Sequence, residues 1–242
     1  MLVRYRKGTA GDPVCTVRTS VRLPQDMTKN TGLIVLHTTK FGENSVVVHT
    51  LSREYGRRSF LVRGAGKRMM SLFLPLNILE ADIVESSKST LFTARNLMSM
   101  YPLLGIRSNV FKNSMTMFMS EVLYRVTRDG AAEQGLFDWC EKNILLLDAL
   151  DTDFSNYHIR FLLELTVALG FSPASRDLQP FVGDHYPTVE RFMQLSFAES
   201  MLIPLNGHVR NEIAEEILRY IEFHTDSSFK INSLKVLREL FA

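Results

Sequence analysis

Cysteine is nearly absent from this chain. Its 242 residues hold two, Cys15 and Cys140, far apart and with no C-x-x-C. That excludes a disulfide framework and a zinc module, and it fits a reducing cytoplasm. No apolar run approaches the ~18 residues of a membrane span, so no membrane partner is expected. The opening MLVRYRKGTAGDPVC lacks the continuous apolar stretch of a secretory signal. The six histidines (37, 49, 158, 185, 208, 224) form no H-E-x-x-H, and no G-x-S-x-G nucleophile turn is present. GAGK (64–67) is only a fragment of a phosphate loop, without the G-x-x-x-x-G-K-S/T spacing. These gaps predict no catalytic residues, no cofactor, no bound metal and no small-molecule substrate. Charge of one sign is scarce too. The formal net of +2 would by itself argue against a polyanion partner.

That average hides an asymmetry. Residues 1–105 carry fifteen basic and seven acidic side chains, a net of +8, whereas residues 106–242 carry thirteen and nineteen, a net of −6. Opposite signs in the two halves predict two domains with different partners. The densest positive stretch is REYGRRSFLVRGAGKR, where Arg53, Arg57, Arg58, Arg63, Lys67 and Arg68 face a single acid, Glu54. A short strand cannot hide so much charge in a core. A basic surface borne on a sheet is a platform for phosphates.

Residues 1–30 are basic, lack periodicity and hold Gly8, Gly11, Pro13 and Pro24. They read as an upstream extension, with Met27 a natural start, or as a disordered basic arm. Residues 31–105 read as strands: TGLIVLH (31–37), SVVVHTLS (45–52), RRSFLV (57–62), LNILEADIVE (76–85) and LFTARNL (91–97). In the third, Arg58, Phe60 and Val62 share one face. In the fourth, Leu79, Ala81 and Ile83 face inward while Glu80 and Asp82 face out. Five short strands with basic loops predict an OB-fold barrel.

After Pro102 the period becomes helical, so residues 106–242 read as an all-α bundle and the whole chain as α+β. Phe111, Met115, Phe118, Val122 and Val126 mark one helix, and Leu136, Cys140, Ile144 and Leu147 a second. IRFLLELTVAL (159–169) is apolar on nearly all sides and predicts a buried central helix. Residues 171–207, with four prolines, read as an irregular insert containing one helix near 188–198. Asn206 caps the next helix, and Leu234, Leu237 and Leu240 mark the last.

The order of these pieces, and their wording, resembles the bacterial RecO recombination mediators. The carriers are Gly32–Leu36 (a "GIVL" strand end), Lys40–Ser45 (the "K/R-x-x-G-E-x-S" turn) and Leu51–Lys67 (the "L-T-x-E-x-G-x-x-S-x-x-x-R-G-A-R-K" segment). PLNILEADIVESS, LGFSP (169–173) and INSLKVLREL match more loosely. The resemblance implies an N-terminal OB-fold, a C-terminal helical domain, and a non-enzymatic role in repair and recombination. Such proteins bind single- and double-stranded DNA and anneal complementary strands. They bind the acidic, apolar C-terminal tail of single-stranded DNA-binding protein, and with RecR they help load RecA. It also implies a bacterial cytoplasmic protein that joins the nucleoid when acting. Many family members carry a four-cysteine zinc module after the LGFxP segment. With no cysteine in 171–207, this chain departs from them.

Annealing breaks no bonds; it requires cations to screen two polyanions. Lys40, Arg53, Arg57, Arg58, Arg63, Lys67 and Arg68 are the expected phosphate contacts, with Gly64 and Gly66 allowing close backbone approach. Phe41 and Tyr55, in turns flanking the basic strand, are expected to stack on bases. For the partner tail, an apolar pocket beside Arg125, Arg128 or Lys142 is expected. The Met115–Met117–Met119 stripe reads as core. Two other classes fit the same pattern less well. One is an RNA-binding OB module with a helical adaptor. The other is an enzyme using Asp184 and His185 in the proline-flanked loop.

Overall fold

The run Leu33-Ile34-Val35-Leu36 explains the architecture. Four apolar residues in a row along a strand, where side chains alternate, must bury both faces. In the computed structural model, which describes residues 28–86, 89, 91–130 and 135–241, they do. Leu33 and Val35 point into the core of a barrel, while Ile34 and Leu36 join the core of the helices.

The barrel has five strands: β1 (Thr28–Lys40), β2 (Ser45–Ser52), β3 (Gly56–Arg63), β4 (Ile78–Val84) and β5 (Phe92–Ser99). They close in the order β1-β2-β3-β5-β4, the expected OB topology. β1 is long enough to pair with β4 through its first half and β2 through its second, with a register shift between Val35 and His37. Closure rests on a short parallel seam, Phe60 with Phe92 and Leu61 with Thr93. Leu79, Ala81 and Ile83 fill the interior as the alternation predicts. β1 begins at Thr28, so residues 28–30, expected to belong to the extension, are part of the barrel. The expectation for residues 1–27 lies outside the described residues.

The helices are α1 (Leu104–Arg107), α2 (Val110–Val126), α3 (Leu136–Ala149), α4 (Tyr157–Ala168), α5 (Ser175–Val182), α6 (Tyr186–Gln194), α7 (Phe197–Met201), α8 (Gly207–Thr225) and α9 (Ser233–Leu240). Asn109 and Asn206 cap α2 and α8 through their side-chain oxygens. Glu121 of α2 caps α9 by accepting from the backbone N–H groups of Asn232 and Ser233. The stretch 171–207 is not irregular. It folds into α5, a 3-10 turn, α6 and α7, and buries Leu178, Val182, Val189, Phe192, Met201 and Ile203 in the common core. Its prolines misled the pattern reading. Pro187 sits in the first turn of α6, where a missing N–H costs nothing, and Pro180 lies late in the short α5.

The two parts are docked over a broad apolar face. Ile34, Leu36, Leu51, Leu76 and Ile78 of the barrel side share one core with Met115, Phe118 and Phe137. Burying each such side chain is worth roughly 1.5–3 kcal/mol, so the docking is a structural interface and not a loose tether. Phe137 lies so close over Gly32 that a Cβ there would stand 2.8 Å from its ring. Arg107 ties the linker down by donating to the Pro75 carbonyl at 2.9 Å and to Asn77 Oδ1.

His158, at the start of α4, is fully enclosed between Phe118 and Phe241. Among the described residues, neither ring nitrogen has a hydrogen-bond partner. Burial, reinforced by the nearby Arg210 charge, pushes its pKa down to about 3 against the opposing influence of the Ser155 backbone. The folded protein therefore holds this ring neutral, while the unfolded chain protonates it below its ordinary value of 6.5. Its contribution is present above pH 6.5 and is lost as pH falls toward 3. Urea unfolding at pH 5 should give about 2 kcal/mol less stability from this group than at pH 8. His158→Leu should remove that part of the pH dependence; an unchanged slope in the variant would refute the assignment.

Candidate nucleic-acid interface

The curvature of the barrel divides the seven expected phosphate contacts into three groups. The first faces the helices. Arg53 bonds Glu141 at 2.7 Å, lies 3.4 Å from Asp138, and covers the Phe137 ring at 4.6 Å. Arg57 is buried, pairs with Asp129 and stacks on Tyr124 at 4.5 Å, while its carbonyl accepts from the Gly130 N–H at 2.8 Å. Neither is a free phosphate contact; both hold the domains together. The reason is the face they occupy. The outer surface of β2 and β3, open in an isolated OB barrel, is here partly covered by α2 and the start of α3.

The second group is Arg58 alone, half-buried. Its guanidinium stands over the Phe92 ring at 3.8 Å and over that of Tyr55 at 5.9 Å. Tyr55 is no base-stacking residue either. Its ring packs edge-on against Phe60 and Phe92, and its hydroxyl donates to Glu85 at 2.8 Å. Burial, then the Glu85 carboxylate, pushes its pKa up to about 12. It plugs the lower end of the barrel, at the far end of β3 from Arg63.

The third group is the exposed one. Lys40, Arg63, Lys67 and Arg68 all face solvent at the upper end of the barrel. The turn after β1 is held to the loop after β3, because the Ala65 N–H donates to the Asn44 carbonyl at 3.1 Å. Phe41 projects from that turn, 55% exposed, so it remains free to stack. The loop N–H groups of Ala65 and Gly66 are spent internally, on Asn44 and Gly64. The glycines thus shape the turn, Gly64 with φ of +68°, and provide no backbone cradle at those two amides.

A fifth cation was missed by pattern reading. Where β3 and β5 part above their short seam, they leave a groove of about 390 Å³ with Arg63 on one lip and Arg95 on the other, floored by Met69. Ala94 points inward, so Arg95 must point out, a signal legible in LFTARNL. Two acids lie nearby, Glu43 in the turn and Asp82 across from Arg95. Hydrogen bonds from Asn30 and Asn96 occupy the Asp82 carboxylate and hold its pKa below the usual range. Five exposed cations against these two acids leave this end net positive.

The three cations expected at a tail site do not converge. Arg125 stands at the mouth of a cleft between β1 and α2. Arg128 donates to the Thr225 carbonyl at 3.1 Å, closing the end of α8. Lys142 is exposed on α3, one turn beyond Trp139, which lines a groove with Leu136 of α3 and Val167 and Glu164 of α4, the carboxylate paired with Arg160 at 2.7 Å. Met115 and Met119 are core as expected, but Met117 is 45% exposed in the cleft wall. His185, with Asp184 in the 3-10 turn, is engaged with α8: Nδ1 meets Glu216 at 3.0 Å and Nε2 lies 3.7 Å from Glu212.

Two family models match the chain. One described as "Recombination protein O N terminal" covers residues 27–100, and one described as "Recombination protein O C terminal" covers residues 107–178. The DNA repair protein RecO of Phocaeicola vulgatus is 29% identical over 241 residues, spanning 89% of this chain and 100% of that protein. The protein of that name from Flavobacterium johnsoniae is 29% identical, over 88% of this chain and 98% of its own length. That from Bacteroides fragilis is 27% identical, over 89% and 100%.

The division of the basic residues is testable by stability alone. Arg57→Ala removes a buried cation–π contact and a domain-bridging ion pair, and should cost about 1–3 kcal/mol in chemical denaturation. Arg63→Ala, fully outside any packing, should stay within about 0.5 kcal/mol of wild type. Equal effects would mean that Arg57 does not clamp the domains.

Proposed function

The chain belongs to the RecO family of DNA repair and recombination proteins, and on that premise we propose that it binds DNA on the upper end of its barrel and anneals complementary strands there. The observation that carries this reading is the exposed set Lys40, Arg63, Lys67, Arg68 and Arg95, gathered from three separate stretches onto one end. Each cation that meets a phosphate releases condensed counterions, so affinity comes from the entropy of that release and needs no base sequence. Phe41, on the same end, adds a sequence-tolerant stacking surface. Single strands and duplex are both ligands, because phosphates are common to both. Screening lets two strands approach within pairing distance, which is all that annealing demands of the protein.

The helical part takes the protein partners in this reading: RecR, and the acidic, apolar tail of single-stranded DNA-binding protein, with RecA loading following from both. For the tail, the groove of Leu136, Trp139 and Val167 supplies the apolar pocket, and Lys142, one turn along α3, the cation for a terminal carboxylate.

The test is annealing of complementary fluorescent oligonucleotides coated with single-stranded DNA-binding protein, with the full chain, across a salt series. Five phosphate contacts on a single strand give a log–log salt slope of about −3.5. Arg63→Ala/Lys67→Ala/Arg68→Ala/Arg95→Ala should lower that slope's magnitude by nearly 3 and abolish annealing while unfolding normally. Annealing that survives in the quadruple variant would move the DNA surface elsewhere.

A further inference from the structure

The cleft between the domains opens beside the basic end of the barrel. Its volume is about 480 Å³, and its walls come from β1, α2, α9 and the 3-10 helix Lys67–Phe73. Two of these elements also carry the exposed cations. β1 lines the cleft with Leu36, His37 and Thr38 and reaches Lys40 two residues later. The 3-10 helix carries Lys67 and Arg68 at one end and Phe73, in the cleft, at the other. From His37 to Lys40 is three strand residues, about 10 Å. A chain of phosphates lying on the barrel end is therefore led to the cleft mouth.

What waits there is aromatic. His37 is exposed and backed by His49, with ring centres 5.6 Å apart and planes 24° from parallel. Tyr124 leans against both rings at 5.2 and 5.3 Å. The set is built and held. His49 meets Ser59 through Nδ1 at 2.7 Å and Thr39 through Nε2 at 3.1 Å, and Arg57 stacks behind Tyr124. Burial, then the Arg57 and His37 charges, lowers the pKa of His49, keeping the backing ring neutral. Arg125 stands exposed at the rim beside Tyr124. Thr38, Ser120 and Asn232 offer polar atoms at the wall. The acid among the lining residues, Glu121, is already committed to the α9 cap.

We propose that this cleft takes unpaired nucleobases of a single strand that continues from the basic end of the barrel, with His37 and Tyr124 as the stacking surface and Arg125 holding the adjoining phosphate. The proposal rests on the DNA reading above and adds a selectivity to it. A duplex buries its bases in its own stack and gains nothing from the cleft. Two contact zones on one strand, the basic barrel end and the cleft between the domains, would hold its bases apart from the phosphate anchor and out of a stack of their own.

The probes are thymidine oligonucleotides of about six and about twenty nucleotides, chosen to lie below and above the reach of both zones, and a hairpin duplex. His37→Ala and Arg125→Ala change exposed side chains, and their folding is checked by thermal unfolding. Each stacked base is worth about 1–3 kcal/mol, so His37→Ala should weaken the long single strand about five- to hundredfold. The short strand and the duplex should bind as in wild type. His37→Trp should restore the loss, which a merely structural histidine would not allow. Long-strand affinity unchanged in His37→Ala and Arg125→Ala, or lost equally for the duplex, overturns the proposal and leaves the barrel surface standing. An acidic, apolar peptide that loses binding in these variants while oligonucleotides do not makes the cleft a peptide groove, which also overturns it. A wild type that binds no oligonucleotide at all overturns the DNA reading itself.

Discussion

Everything in this molecule hangs on the middle of β1, Leu33 to Leu36, having no outside. Leu33 and Val35 close the barrel, and Ile34 and Leu36 enter the helical core, so one strand serves as a wall of two hydrophobic interiors. A strand buried on both faces cannot shift register without moving polar atoms into one core or the other. The helices are consequently fixed to the barrel at a defined angle. That fixed angle decides which parts of the barrel surface can be reached by anything else.

Docking redistributes the charges. In the sequence the basic residues from Arg53 to Arg68 form one cluster, but β3 carries Arg57 and Arg63 some 20 Å apart along its axis. The lower end turns toward the helices, and there Arg53 and Arg57 meet Asp138, Glu141 and Asp129. At the upper end Lys40, Arg63, Lys67, Arg68 and Arg95 stay exposed to solvent. Sequence proximity counted side chains; the curvature of the sheet sorted them.

The barrel and most helices were legible because alternation and the 3.6-residue period are local properties. Leu79, Ala81 and Ile83 needed no partner to reveal their face. Residues 171–207 were not legible, since proline signals a break only when its position within the turn is known. The burial of Arg57 was invisible for another reason: its partners Tyr124 and Asp129 lie some seventy residues away, on an element whose docking the local pattern does not encode. Tyr55 looked available because turns are usually exposed, yet here the turn closes the barrel end. Arg95 could have been found from Ala94 beside it, had the last strand been read for its outward face.

The opposite charge of the two halves takes on a second meaning. As sequence, +8 against −6 suggested separate partners. Part of that contrast is spent between the halves themselves, through Arg53 and Arg57 on one side and three acids on the other. Such pairs are partly exposed and contribute less to stability than the apolar face they border. Their main effect is on alignment, since like charges at those positions would oppose the docked geometry. Among the described residues, Lys40, Arg63, Lys67, Arg68 and Arg95 stand exposed at the barrel's upper end and Arg125 at the rim of the cleft. The interface that buries Arg57 and engages Arg53 therefore leaves the exposed cations of the barrel at its other end.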